Sequence, residues 1–345
     1  MILTSLMLQN FRSYTKQTFS FSSNTTLVVG PNAAGKTNIL EAIHLLATGK
    51  SFRADEDKEV VRRQQEIAIV KGKITDANET TTLELRVTTG EVGGKKSQIK
   101  KYLVNGVPRR QVDFAGQLKV VLFWPEHMGL VTASPSLRRK YLDSVLLQTD
   151  REYRRSLFSY ERGLRQRNKL LDLIQEGKAQ RSQLVFWNQL LIQAGGYLTD
   201  ARASYIEYVN GYSLNDSPFH ITYDKSVISQ ARLEQYADAE VAAKATLVGP
   251  HRDDFLITQN KEDLSKFGSR GQQRIAVLWL KMAELSYIHT TSHVRPVLLL
   301  DDIFSELDAE HRTLVMDAAG KQQAVLTSAN EDIIRLSPKA EVISL

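Results

Sequence analysis

The stretch "GPNAAGKT", Gly30 to Thr37, leaves the backbone few choices. It fits the spacing G-x-x-x-x-G-K-[ST], in which two glycines let the chain curl so that successive N–H groups face one anion at the start of a helix. The flanks agree. The β-branched run "TTLVV" (25–29) precedes the loop, and Ile39, Leu40, Ile43, Leu46 and Ala47 then fall on one helical face, with Gly49 placed to end the helix. Strand, glycine loop and helix in that order predict a phosphate site. The backbone of Gly30, Pro31, Asn32, Ala33, Ala34 and Gly35 would cradle phosphate oxygens. Lys36 would reach the terminal phosphates, and the Thr37 hydroxyl would sit on Mg2+.

A second acidic element follows far downstream. In "VRPVLLLDDIFSELD", Val297–Leu300 has the pattern of a buried strand ending in Asp301 and Asp302. A carboxylate there can hold the Mg2+ shell, and its neighbour can orient or deprotonate an attacking water, so Asp301 is assigned to the metal and Asp302 to the water. Lys36 and Asp301 lie 265 residues apart, whereas a small nucleotide kinase would hold both in one compact βαβ array. Within that interval "KFGSRGQQRIAVLWLKMAE" places Ser269, Arg270, Gly271 and Gln272 as a polar turn opening an amphipathic helix (Ile275, Leu278, Met282, Leu285). Ser269, Gly271 and Gln272 at that helix start make a second anion site.

At 345 residues, two domains are affordable, and 42% hydrophobic with 24% charged residues is ordinary for a globular chain. No run approaches the roughly 18 apolar residues of a membrane span, "MILTSLMLQNF" lacks a basic signal-peptide start, and there is no cysteine, so a cytoplasmic protein is expected. Positions 1–120 read as strands and turns with one clear helix, with a hairpin at Asn105-Gly106. The next hundred residues are mainly helical without a sustained heptad, and α/β texture returns from Leu247. The net charge is +6, and the window Arg138–Lys169 alone holds ten basic against four acidic residues. That makes it a candidate nucleic-acid surface, with Arg138, Arg139, Arg154 and Arg155 as contacts and its aromatic residues as core packing. "HTTSH" (289–293) has zinc-ligand spacing but a poor helical interior, and a loop is expected there. In "GPHRDDF" (249–255) the cluster of His251, Arg252, Asp253 and Asp254 fits a structural ion-pair network and a DNA contact equally.

Taken together, the Gly30–Thr37 loop, "SRGQ" (269–272), "VLLLDD" (297–302) and "SELD" (305–308) resemble, in order, the phosphate loop, signature, Walker B strand and D-loop of ABC-type ATPases. Within them "LQNFRSY" (8–14), "GKSFRA" (49–54), "VNGVPRR" (104–110), "SPSLRRKYLD" (134–143), "GPHRDDF" and "FGSRGQQR" (267–274) are similar to the RecF family over essentially the whole chain. The resemblance implies an α/β fold, an ABC-type head from 1–125 plus 247–345, with a mainly helical arm (126–246) inserted. It implies ATP and Mg2+, weak ATP hydrolysis acting as a timer, and a homodimer in which one subunit's signature completes the other's phosphate site. It further implies binding to single-stranded or gapped DNA, work with RecO- and RecR-type mediators in loading recombinase, and a link to replication and the SOS response. By the match at "NFR" Arg12 would touch the nucleotide, and by "SFR" Arg53 would lie close. The chain carries Asp301-Asp302 where transporter ATPases usually have Asp-Glu. Thr327, Ser328 or Asn330 stands in place of the switch histidine, and Gln117 or Glu126 is the Q-loop candidate. A transporter-type ATPase would lack so long an arm, and an SMC-like structural protein would need hundreds of heptad residues.

Overall fold

Alternating apolar and polar residues near the start of the chain form long antiparallel strands, and unbroken apolar runs form short parallel ones. The computed structural model describes residues 1–76, 79–214, 218–329 and 340–345. They fall into two compact units, Met1–Met128 with Glu284–Leu345, and Gly129–Ala283. Residues 247–283, grouped with the head in the sequence reading, thus lie in the second unit.

In the first unit, β1 (Ile2–Phe11), β2 (Tyr14–Ser20), β4 (Ile67–Asp76), β5 (Glu79–Thr88), β8 (Lys100–Val104) and β9 (Val107–Arg109) make an antiparallel sheet in the order β2-β1-β4-β5-β8-β9. A small ribbon, β6 (Glu91–Val92) with β7 (Lys95–Lys96), precedes β8. Asn105 and Gly106, with φ of 50° and 78°, close the β8–β9 hairpin in the left-handed geometry that the Asn-Gly pair supplies. A second sheet is parallel, in the order β10-β14-β15-β3-β16, from Val120–Phe123, Val297–Asp301, Ala324–Ser328, Thr25–Val29 and Glu341–Ser344. Every residue of β3, β10, β14 and β15 is buried, as strands covered on both faces require. Helix α1 (Lys36–Thr48) is buried continuously from Ile39 to Thr48 and packs against strands of both sheets in one core, ended by Gly49 at φ 73°. A short α2 (Gln111–Phe114) precedes β10.

The second unit is mainly helical. After α3 (Gly129–Thr132) come α4 (Pro135–Thr149), α5 (Arg151–Gln175) and α6 (Val185–Asn210). A Cβ on Gly163 of α5 would meet Leu190 Cδ2 at 2.6 Å, so its absence is what lets α5 and α6 approach. Short helices α7 (Gln230–Gln235) and α8 (Ala237–Ala243) and the sheet β11 (Phe219–Asp224), β12 (Asp254–Gln259), β13 (Glu262–Asp263) complete the unit, with α9 (Leu264–Phe267). Helix α10 (Arg270–Ser292) follows, and α11 (Ala309–Gly320) lies between β14 and β15. "HTTS" is helical, contrary to the loop expected, and only His293 leaves the helix, at φ 56°. Extending a helix already nucleated costs little, and the buried Ile288 anchors that last turn.

The interior of this unit is ionic. Arg202, 3% exposed, donates to Asp143 (2.8 Å), Asp253 (2.9 Å) and the Pro250 carbonyl (2.7 Å). Arg167 donates to Glu240 (2.6 Å), Thr246 (2.8 Å) and Asn188 (2.7 Å). Asp253, fully buried, also receives Tyr223 and the Ser226 N–H. The "GPHRDDF" cluster is therefore woven into a structural ion-pair network. His251 belongs to it: Nε2 lies 3.0 Å from the Thr246 carbonyl, which can only accept, so Nε2 carries the proton and Nδ1 accepts the Tyr160 hydroxyl at 2.8 Å. Burial pushes its pKa from the ordinary 6.5 down to about 4. The unfolded chain then binds a proton that the folded chain refuses. Stability is full above pH 6.5 and falls as the pH drops from there toward about 4. Denaturant unfolding measured across that window should show the loss, at most about 1.4 kcal/mol per pH unit from this group. His251→Gln should flatten the slope; an unchanged slope would mean that His251 is not the titrating group.

Candidate functional site

The phosphate loop is held by its own backbone. Gly35 sits at φ 108°, and a Cβ there would lie 2.8 Å from the Tyr14 hydroxyl, which itself donates to the Gly35 carbonyl at 3.2 Å. Only glycine meets both demands. Ala33 also takes a left-handed φ of 66°. Lys36 Nζ reaches back across the loop to the carbonyls of Gly30 (2.7 Å) and Pro31 (2.9 Å). The start of α1 has neither a side-chain cap nor an acidic residue in its first turn, so its dipole is left to attract an anion, although the Asn38 N–H already donates to the Gly35 carbonyl at 2.9 Å. Pro31, Asn32 and Ala33 are exposed.

Parallel pairing brings the acidic element here. Asp301 pairs with Thr327 across β14 and β15, and Ser328 pairs with Val29 across β15 and β3, so three carboxyl ends align where the loop begins. Asp301 Oδ1 accepts from Thr37 Oγ1 at 3.0 Å and from Thr327 Oγ1 at 2.6 Å, with Asp301 only 5% exposed. Thr37 and Asp301 together present hydroxyl and carboxylate oxygens, the donors Mg2+ takes when phosphates and water fill the rest of its shell. Asp302 turns out of the strand at φ 49°, and its side chain is exposed. Of the switch candidates, Thr327 is committed to Asp301, Ser328 ends β15, and Asn330 lies outside the described residues.

Glu41 escaped the sequence reading. It is fully buried on α1 and accepts both Nε (2.9 Å) and Nη2 (2.6 Å) of Arg12, while Arg12 Nη1 donates to the Glu59 carbonyl at 2.9 Å. Arg12, expected on the nucleotide, is thus engaged by Glu41, and Arg53 donates to Asn38 Oδ1 at 3.1 Å. A glutamate inside an amphipathic helix reads as a solvent-facing residue, and its partners come from other loops.

The signature residues form a reciprocal cap. The Ser269 N–H donates to Gln272 Oε1 at 2.8 Å and the Gln272 N–H to Ser269 Oγ at 3.3 Å, and Ser269, Arg270, Gly271 and Gln272 are exposed. In "SELD", Asp308 accepts from the His311 N–H at 3.0 Å and caps α11. Gln117 and Glu126 are both exposed.

The basic window divides. Arg138 is 6% exposed and grips Asp254 with Nε (2.6 Å) and Nη2 (2.9 Å). Arg139, half-buried, donates to the Asp253 carbonyl at 2.9 Å, and half-buried Arg154 to the Leu147 carbonyl at 2.7 Å. Arg138 is thereby corrected from a surface contact to a structural cation, since a buried guanidinium must find a carboxylate. Arg155 is exposed with Glu152 at 3.7 Å. Arg151, Arg155, Arg162, Arg165 and Lys169, all exposed, fall within an arc of about 80° along about 27 Å of α5.

Known proteins share this architecture. The RecF/RecN/SMC N-terminal domain family matches residues 2–342. The DNA replication and repair protein RecF of Lachnoclostridium phytofermentans is 35% identical, covering 95% of this chain and 92% of its own. That of Roseiflexus castenholzii is 36% identical, covering 96% and 94%. Among solved structures, the recombination mediator protein RecF with ATP superposes with a TM-score of 0.85 at 29% identity, over 96% of this chain and 92% of the other. An SMC head bound to the C-terminal winged-helix domain of ScpA, at 15% identity and TM-score 0.51, covering 100% and 94%, shares the fold. With the phosphate loop, the aligned Asp301 and near-complete coverage on both sides, the chain belongs to the RecF family of DNA replication and repair proteins.

Proposed function

We propose that this protein is an ATP-dependent DNA-binding clamp of recombinational repair. The observation that carries the reading is the Thr37–Asp301–Thr327 cluster beside an uncapped phosphate loop. The backbone of Gly30–Gly35 and the Lys36 ammonium bind and orient the triphosphate. Thr37 and Asp301 hold Mg2+, which supplies charge neutralisation on the phosphates. Asp302 orients water for slow hydrolysis, which times release. Ser269, Gly271 and Gln272 of a second copy close the site, and Phe267, 72% exposed just before them, supports a surface made for a second copy. DNA, single-stranded or gapped, lies along the basic face of α5, and RecO- and RecR-type mediators work with the protein in loading recombinase, a reading that its likeness to RecF of the RecFOR pathway supports. No helix among the described residues is long and apolar enough to cross a membrane.

Two tests follow from separate parts of this reading. Asp302→Asn should cut steady-state ATP hydrolysis by roughly a hundredfold or more and leave an ATP-bound dimer that persists in sizing or light scattering. A normal rate with no trapped dimer would remove Asp302 from its role. Reversing Arg155, Arg162 and Arg165 to glutamate should weaken DNA binding irrespective of sequence and lower the log–log salt slope by about two. Unchanged affinity and slope would move the DNA surface elsewhere.

A further inference from the structure

Glu41 sits where the β1–β2 turn meets the segment after α1, a junction that the backbone also closes through the Arg12 N–H on the Val60 carbonyl (2.9 Å). Its carboxylate, with none of its surface exposed, takes Arg12 from the β1–β2 turn and Ser51 Oγ at 2.5 Å from the loop after α1, and Arg53 Nη1 approaches to 3.9 Å. Ser51 in turn accepts the N–H groups of Arg53 (3.0 Å) and Ala54 (2.9 Å), shaping the loop that carries Arg53. Two guanidinium groups gathered on one carboxylate leave a net positive charge.

That charge sits beside the phosphate-loop helix, which carries Glu41. Glu41 is four residues beyond Thr37, on the same face of α1. Asn38 receives Arg53 at 3.1 Å and donates to Ser13 Oγ at 2.9 Å, while Tyr14 fastens the same turn to the Gly35 carbonyl. Arg12 itself is held at φ 51°, a strained conformation for a non-glycine residue that persists only because its surroundings dictate it.

The two arginines differ in freedom. Nε, Nη1 and Nη2 of Arg12 all donate within the protein. Arg53 is 39% exposed and makes one side-chain hydrogen bond. Arg12 is a strut, and Arg53 can turn toward an anion with little loss.

We propose that Glu41 is a positioning residue for a nucleoside triphosphate: it locks Arg12 as a strut and keeps Arg53 at the phosphate loop, ready to pass from Glu41 to the terminal phosphate. This rests on the reading of Gly30–Thr37 as an ATP site, and it reassigns Arg12 from phosphate contact to support. A diphosphate lacks the group Arg53 would reach, so the arrangement selects triphosphate over diphosphate.

The test is equilibrium binding of MgATP and MgADP to the full chain and to Arg53→Gln, Glu41→Gln and the double variant, with thermal unfolding run alongside. Arg53→Gln should weaken MgATP roughly tenfold or more and leave MgADP nearly unchanged. Glu41→Gln should weaken MgATP similarly, and the double variant should bind no worse than about twofold below the weaker single, because both changes remove one interaction. A Glu41 that merely stabilised the fold would lower the unfolding temperature without this non-additivity. Independent, multiplying losses, equal losses for ATP and ADP, or Glu41→Gln binding at or above the unaltered affinity would each overturn the proposal. If Glu41→Gln does not fold, Glu41→Asp, which keeps the charge and shortens its reach to Arg12 and Ser51, takes its place: weakened MgATP non-additive with Arg53→Gln supports the proposal, and an additive or null effect overturns it. Lys36→Ala separates the two levels: were it to bind MgATP normally, the ATP reading itself would fall, whereas its loss of binding beside an indifferent Arg53→Gln would sink this proposal alone.

Discussion

Asp301 is a carboxylate withdrawn almost wholly from water, and it is tolerable there because two threonine hydroxyls donate to one of its oxygens. A buried carboxylate stripped of such donors costs about 1–3 kcal/mol or more. The donors stand 264 and 26 positions away in sequence, so the demand is topological. It is met when β15 lies between β14 and β3 with all three parallel and in the observed register. Between α1 and β14 the chain leaves this sheet, returns once as β10 at its edge, and leaves again, and the second compact unit occupies the excursion from β10 toward β14.

The second unit answers a different problem. It buries Arg138, Arg167 and Arg202, and each guanidinium finds an acid: Asp254, Glu240, and Asp143 with Asp253. Buried pairs of this kind add little net stability over apolar packing, but removing one partner costs about 3–5 kcal/mol, so each pair fixes its register. The arginine-rich composition of the helices therefore serves two ends. Some guanidinium groups are interior rivets, and others, along α5, remain in water and set the charge of the surface.

This division limits what the sequence discloses. The phosphate loop was legible because backbone curvature demands glycines at set spacings, whatever the rest of the fold does. The strand ending in Asp301 was legible because a parallel strand buried on both faces is apolar throughout. Arg138 and Arg155 look alike as letters, and only the presence of Asp254 on β12 separates them. Glu41 was invisible for the same reason: its partners Arg12 and Ser51 come from separate loops. The segment "HTTS" misled because local propensity was outweighed by the length of helix behind it.

The electrostatics of the loop close the argument for a polyanionic ligand. Lys36, 8% exposed, spends its ammonium on two carbonyl oxygens, which are neutral acceptors and leave its charge uncancelled. The helix start beside it lacks the acidic residues that usually complement the dipole. The Arg12–Glu41–Arg53 group adds one more positive charge beside the same helix. Against these stand Asp301 and the exposed Asp302 at the end of β14. A lone anion would satisfy the cations and be repelled by the carboxylates. A polyphosphate accompanied by a divalent cation would satisfy both, which supports the proposal that the aspartates and the uncapped helix form one site.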